Sequence, residues 1–336
     1  MAFLSEKPDI TFRSPLFAAI LGNTLLSTVP GISGAGPSPE KTLLTPNIDA
    51  ELVTDGAVTS TPANSNTPTG CPTPATITRA MMVLTGLKPL FINAGLRHVP
   101  TVPCLDAYGE VGGDPRDGDA LPSAARLFGQ GERMGVFLSA HSDLLILGEC
   151  VPGGTTTALC LLRALGYEAS VSSSFVKNPV SMKEEVCRQV LVRAPSGGPV
   201  SPLDLVRSLG DPMMPVAAGI AKTYTGTLVL AGGTQMLAVS ALIKALGQPL
   251  SPVVTTCYVR DDATANVPAL VSRIGVHVTY VDPGFGDLGH AGLARYCIGE
   301  VKEGTGAGGA MYLASLMGHS PDAIRRAILA TVTPSG

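Results

Sequence analysis

The sequence contains no tryptophan and only seven tyrosines and eight phenylalanines. It has no run of basic residues either, so single-stranded nucleic acid finds no stacking platform or electrostatic track on it. A net charge of −3 likewise argues against broad attraction to a phosphate backbone. Long hydrophobic runs are missing. The early apolar stretch from Phe17 to Leu26 is broken by Gly22 and Asn23, which leaves it too short to span a bilayer. It follows Glu6, Lys7, Asp9 and Arg13, a poor start for a signal peptide, so a cytoplasmic protein without a membrane partner is expected. The seven cysteines are odd in number and widely spaced, with no CxxC, and the five histidines form no HxxxH. That pattern fits reduced, mostly buried thiols rather than a disulfide framework, and it carries no metal-site signature.

What the chain has in abundance is glycine and proline, 39 and 28 of its 336 residues. Charged residues make up only 15%, and mean hydropathy is +0.31. A disordered chain would be polar or highly charged, so this glycine and proline must shape ordered loops. Such loops dominate the first 130 residues, notably residues 27–39 and 60–74. A helix is expected from Pro74 to about Leu84, ending before Gly86.

From about Met134 onward, short apolar runs alternate with glycine turns and apolar helical segments. Strands are expected at 143–147, 227–231, 253–259 and 276–281, and helices at 157–165, 236–246, 309–317 and 321–330. Near-continuous apolar strands alternating with helices imply a parallel sheet covered on both faces, a doubly wound three-layer α/β/α sandwich. A smaller, partly helical lobe is expected beside it. The whole chain, 1–336, reads as a single catalytic unit. Residues 40–300 would form the α/β core with the substrate loops, and 1–39 and 301–336 the smaller lobe and the active-site edge.

In such a sheet ligands bind where strands run into helices. That rule selects three glycine loops. The first is GECVPGGTT (148–156), where Gly153 and Gly154 allow close backbone approach and Thr155 and Thr156 add hydroxyls. A phosphate site and a plain tight turn with a capping threonine are equally good readings of its spacing. The second is Gly232-Gly233-Thr234, for which strand–helix packing is the stronger reading. The third is KEGTGAGG (302–309), in which Glu303 is either a general base or a surface carboxylate. Thr73 and Pro74 would form a rigid wall, and His290 lies in a further strand-end loop. No GxSxG and no phosphoribosyl-pyrophosphate motif is present.

In combination these segments resemble a known family. LLILGECVPGGTT (144–156) resembles the LLxxGEMGIGNTT loop of the nicotinate-nucleotide–dimethylbenzimidazole phosphoribosyltransferases, although VPGG stands where that loop has GIGN. KEGTGA (302–307) resembles their GEGTGA segment, whose glutamate is the catalytic base. The stretch from Asp204 to Gly219, the strand and glycines at 230–233, and the Gly289-His290 pair match in the same order. Gly22-Asn23-Thr24, PGISGAG (30–36), Leu44-Thr45-Pro46 and TPATITR (73–79) are similar to an archaeal and cyanobacterial branch. Thr73 and Ala80 stand where the well-studied branch has an aromatic and a glutamine facing the base.

The resemblance implies transfer of the 5-phosphoribosyl group of nicotinate mononucleotide to a purine or benzimidazole base, in cobamide nucleotide-loop assembly. Glu303 would be the catalytic base. Glu149, Gly153, Gly154, Thr155, Thr156, Gly232, Gly233, Thr234, Gly304, Thr305, Gly306, Thr73, Pro74 and His290 would bind substrate. Lys177, Lys183 and Arg188 are candidates to meet the phosphate. No cofactor and no metal is implied, and a homodimer is. The rival reading is a nucleotide-binding regulatory or accessory protein that kept the phosphate loop and lost the chemistry.

Overall fold

The computed structural model describes residues 2–36, 38–61, 66–195 and 200–333. Residues 62–65 of the expected loop at 60–74 lie outside these, as do 1, 37 and 334–336 of the terminal segments. Seven strands form one sheet: β1 (Pro15–Gly22), β2 (Leu90–Gly95), β3 (Cys104–Asp106), β4 (Leu144–Cys150), β5 (Thr227–Ala231), β6 (Val253–Thr256) and β7 (Val278–Val281). Their order is β3-β2-β1-β4-β5-β6-β7, and every neighbouring pair is parallel. The chain winds outward from β1 to one edge and returns to lay β4 beside β1. The topological switch point is therefore between β1 and β4, where the doubly wound architecture opens its ligand crevice.

Side-chain alternation divides the core. In β1, Ala18 and Ile20 pack on one face, and Phe17, Ala19 and Leu21 on the other. In β4, Leu145 and Leu147 share the first face, and Leu144 and Ile146 the second. Each such fully buried Leu, Ile or Phe contributes about 1.5–3 kcal/mol of transfer free energy. The first face carries helices Ala124–Ser139, Gly154–Ala164, Val180–Arg193, Pro202–Leu209, Met213–Thr223, Thr234–Ala245 and Val267–Ile274. The second carries helices Thr45–Asp55, Pro74–Thr85, Ala307–Leu316 and Pro321–Val332.

This arrangement corrects several expectations. Residues 1–39 do not lie wholly at a lobe or edge, because the apolar run after Pro15 is β1, a central strand of the sheet. The N-terminal contribution to the second layer comes from 45–55 and 74–85 together with Phe3 and the partly buried Leu4, Ile10 and Phe12. The strand expected at 253–259 stops at Thr256, and Cys257–Arg260 turns into a short helix. β4 runs on through Glu149 and Cys150, so both sit in the strand rather than in the loop after it.

Glycine permits the closest crossing of the two layers. A Cβ on Gly148 would lie 2.9 Å from the Gly306 Cα, and one on Gly309 would lie 2.3 Å from the Ala231 Cβ. Only glycine lets the segment 304–309 and its helix press onto β4 and β5. That contact delivers Glu303 to the carboxyl ends of the strands. No described helix is long and apolar enough to cross a membrane.

Candidate active site

Glu303 stands at the start of the glycine segment leading into helix Ala307–Leu316. Its carboxylate accepts backbone N–H bonds from Gly308, at 3.1 and 3.2 Å to its two oxygens, and from Gly304 at 3.3 Å. Burial raises its pKa to about 7, against the opposing pull of those amides. Glu149, at the end of β4, is 2% exposed. Burial, followed by the charges of Glu303, Asp211 and Asp49, pushes its pKa up to about 8, so it holds its proton at neutral pH. Both glutamates border the Gly232-Gly233 turn after β5. A Cβ on Gly232 would lie 3.2 Å from Glu149 Oε1, and one on Gly233 would lie 3.9 Å from the Glu303 Cβ.

Two further acids complete this side of the site. Asp211 accepts Thr157 Oγ1 at 2.6 Å and the Met213 N–H at 3.1 Å, and Asp49 accepts Thr305 Oγ1 at 2.9 Å. Burial raises both to about 6. Thr305 has φ +48°, a conformation that costs a β-branched residue of order 1–3 kcal/mol. Three bonds hold it there: its N–H to the Glu149 carbonyl at 2.9 Å, its hydroxyl to Asp49, and its carbonyl from Thr78 Oγ1 at 2.9 Å. The strain is retained where Glu149, Asp49 and the Glu303 segment meet.

Beside the acids, two helices begin close together. Gly153, at φ +79°, turns the chain into helix Gly154–Ala164, and Gly233 precedes helix Thr234–Ala245. The Gln235 side chain of the second lies against Gly154 of the first. Thr156 Oγ1, Thr234 Oγ1 and Gln235 Oε1 are buried without a hydrogen-bond partner. Lys183, 2% exposed, donates to Thr155 Oγ1 at 3.0 Å and to the Ser172 carbonyl at 2.8 Å. Burial, with repulsion from Lys302, lowers its pKa to about 7. Two helix N-termini, orphan hydroxyls and a buried lysine suit an oxyanion.

Most residues singled out from sequence therefore converge. Glu303, Glu149, Gly232, Gly233, Thr305 and Gly306 meet at the strand ends, and Gly153, Gly154, Thr155, Thr156 and Thr234 stand at the two helix starts. Pro74 packs against Gly304, and Thr73 hydrogen-bonds Asp49. His290 takes a different place. Its Nδ1 accepts the Leu293 N–H at 3.1 Å and caps the short helix Ala291–Ala294, which packs on the 70–72 turn. Of the three basic candidates, Lys183 reaches the glycine loop, whereas Arg188 is spent on Glu185 at the surface. Asp49, Asp211 and Lys302 were not indicated by sequence. Beside Lys302 opens a cavity of about 630 Å³ whose walls include Tyr258, Phe285, Tyr296, Asp262 and Asp282.

Fold and site together define a doubly wound parallel α/β protein with buried carboxylates and two glycine-led helix starts at the carboxyl ends of β4 and β5. The chain belongs to the UPF0284 family. It is 41% identical over 332 residues to the UPF0284 protein of Methanosarcina mazei, covering 96% of this chain and 94% of that one. It is 43% identical over 313 residues to that of Thermococcus gammatolerans, covering 91% and 94%. No family model matches the chain. Among solved structures, it superposes on nicotinate-nucleotide-dimethylbenzimidazole phosphoribosyltransferase from Thermus thermophilus with a TM-score of 0.61. That likeness covers 96% of this chain and 84% of the other at 16% identity, and a second structure, described as CobT from the same organism, gives the same values. At that identity the likeness is one of fold.

Proposed function

We propose that this protein is a phosphoribosyltransferase that moves the 5-phosphoribosyl group of nicotinate mononucleotide to a heteroaromatic base of the purine or benzimidazole class, in cobamide nucleotide-loop assembly. The observation that carries this reading is the pairing of Glu303 with an oxyanion cradle across the Gly232-Gly233 turn. The donor's C1′–N bond breaks with its electron pair going to the pyridinium nitrogen, so nicotinate leaves without needing an acid. The unprotonated imidazole-ring nitrogen of the incoming base forms the new bond to C1′ with its lone pair, and the proton on the other nitrogen of that ring passes to Glu303 Oε. A carboxylate with a pKa of about 7 is matched to that task, and general-base help of this kind is worth about 10²–10⁴ in rate. Lys183, Thr155, Thr156 and the backbone N–H groups at the start of helix Gly154–Ala164 hold the phosphate.

Glu149, protonated at neutral pH, keeps the site from carrying two adjacent negative charges and presents a carboxylic acid hydrogen to the ribose. Gly232, Gly233 and Thr234 allow close approach of the ring and add a hydroxyl. Thr73, Pro74, Gly304, Thr305 and Gly306 form the acceptor side. Adenine is the preferred acceptor over dimethylbenzimidazole, because Ala80 removes the glutamine of the resembled motif. A cytoplasmic homodimer acting as one catalytic unit belongs to the same reading.

The test is chromatographic detection of free nicotinate from nicotinate mononucleotide with adenine, dimethylbenzimidazole or no base. Base-dependent release together with a new ribotide is expected. Binding of the mononucleotide without release would replace this reading by that of a nucleotide-binding regulatory protein.

A further inference from the structure

Residues 172–178 cross the site as a segment without regular structure, between helices Gly154–Ala164 and Val180–Arg193. Two buried lysines take its carbonyls in succession. Lys183 bonds Ser172 O, and Lys302 bonds Ser173 O at 2.7 Å and Phe175 O at 3.4 Å. Lys302 also donates to Gly299 O at 2.8 Å and pairs with Asp262 at 3.3 Å. Asp262 Oδ2 accepts Ser172 Oγ at 2.7 Å, and its Oδ1 accepts the Thr264 N–H and hydroxyl. Asn178 closes the far end, donating to Val171 O and Thr264 Oγ1. On the other side, Thr256 Oγ1 donates to the Lys302 carbonyl at 2.6 Å, one residue before Glu303. Ser173 Oγ is buried within the segment with no partner.

From these contacts we infer that Lys302 and Asp262 form a latch that positions the 172–178 segment, and through it Lys183, for binding the phosphate of the donor. The inference rests on the phosphoribosyl reading above. A continuous path of bonds runs from the Glu303 segment through Lys302, Asp262, Ser172 and Lys183 to Thr155. Lys302 is a positioning residue: its ammonium protons are spent on carbonyls and a carboxylate, so it holds the segment and does not itself coordinate the substrate. It occupies the first position of KEGTGA, where the resembled segment has a glycine, so the latch does not come with that motif.

The experiment combines hydrogen exchange of the full chain without substrate and steady-state kinetics on Lys302→Met and Asp262→Asn. Asp262→Asn retains volume and one acceptor while losing the charge, so it tests the latch even where Lys302→Met fails to fold. Amides of 172–178 are expected to exchange about tenfold faster in both variants, the scale set by losing one charge-assisted bond, with helix Pro321–Val332 unchanged. KM for nicotinate mononucleotide should rise about tenfold, with kcat within about threefold of the parent. Unchanged exchange at 172–178, or a loss confined to kcat, would overturn the latch. Exchange is read without turnover. A parent chain that releases no nicotinate therefore removes the phosphoribosyl reading, while the exchange result still decides the latch.

Discussion

The two sides of the crevice are built from opposite charges and solve burial in opposite ways. On the acid side, Glu149, Glu303, Asp211 and Asp49 crowd together, and burial raises the pKa of each. Glu149, which feels the other three, rises furthest. On the basic side, Lys183 and Lys302 are lowered by the same desolvation, but the Asp262 charge works against it for both. Among the acids only Glu149, at about 8, keeps its proton at neutral pH and so limits the charge that Glu303, Asp211 and Asp49 bring together, whereas the lysines are sustained by carbonyls and one carboxylate. The difference assigns work to each side. A carboxylate near its titration point suits proton transfer, and a buried lysine partly compensated by the protein keeps attraction to spare for a phosphate.

If that division holds, mutations on the two sides separate kinetically. The largest effect belongs to Glu303→Gln, which removes a proton acceptor and little volume. Turnover should fall by about 10²–10⁴ with the melting temperature and donor binding retained, checked by nicotinate release and calorimetry. Near-parental turnover would take Glu303 out of the mechanism. Gly153→Val should come next. The residue sits at φ +79°, and its Cβ would lie 3.0 Å from the Ser27 Cβ. The strained turn moves the amides of the oxyanion cradle, and calorimetric affinity for nicotinate mononucleotide should drop by about tenfold or more. Lys183→Met should weaken that affinity by roughly 10- to 100-fold, the value of one charge-assisted hydrogen bond, and leave kcat much less changed. A kcat loss equal to that of Glu303→Gln would erase the distinction between the sides.

The same contrast explains what the sequence disclosed. The strand–glycine–helix junctions at 148–156 and 230–235 were legible because each is local: an apolar run, a turn that glycine permits, and a helix start. The glycine segment at 302–309 does not follow a strand as expected but comes after the short helix Arg295–Ile298, and only its glycines and its helix start were legible. β1 was hidden because Phe17–Leu21 reads equally as any short apolar run, and nothing local says that it lies mid-sheet. Helix Ala124–Ser139 was hidden by Gly129, Gly131 and Gly135. In the fold two of these are contact surfaces, since a Cβ on Gly131 would lie 2.3 Å from Val216 O and one on Gly135 would lie 2.2 Å from Thr223 Oγ1. These glycines offset their helix-propensity cost by close packing on Met213–Thr223. Asp49 and Asp211 were invisible for another reason. Lone aspartates carry no motif, and only the winding of the sheet brings positions 49, 149, 211 and 303 together.

The smallest predicted effect isolates the acid side without any substrate. Glu149 has a folded pKa of about 8, raised from an ordinary carboxylate value of 4.5. Below about pH 4.5 both folded and unfolded chains keep the proton, and the group costs nothing. As pH rises the unfolded chain ionises first, so stability falls between 4.5 and about 8 and levels off above, at about 1.4 kcal/mol for each unit of difference. Glu149→Gln abolishes that titration while keeping the shape of the side chain. The variant should therefore gain melting temperature relative to the parent as pH rises from 5 to 9, by roughly 3 °C or more over the range. Any cost of burying the amide is the same at both pH values, so the change in the difference is what calorimetry must read. Parallel melting curves at pH 5 and 9 would mean that Glu149 is ionised and compensated in the fold. The acid side would then resemble the lysine side rather than oppose it.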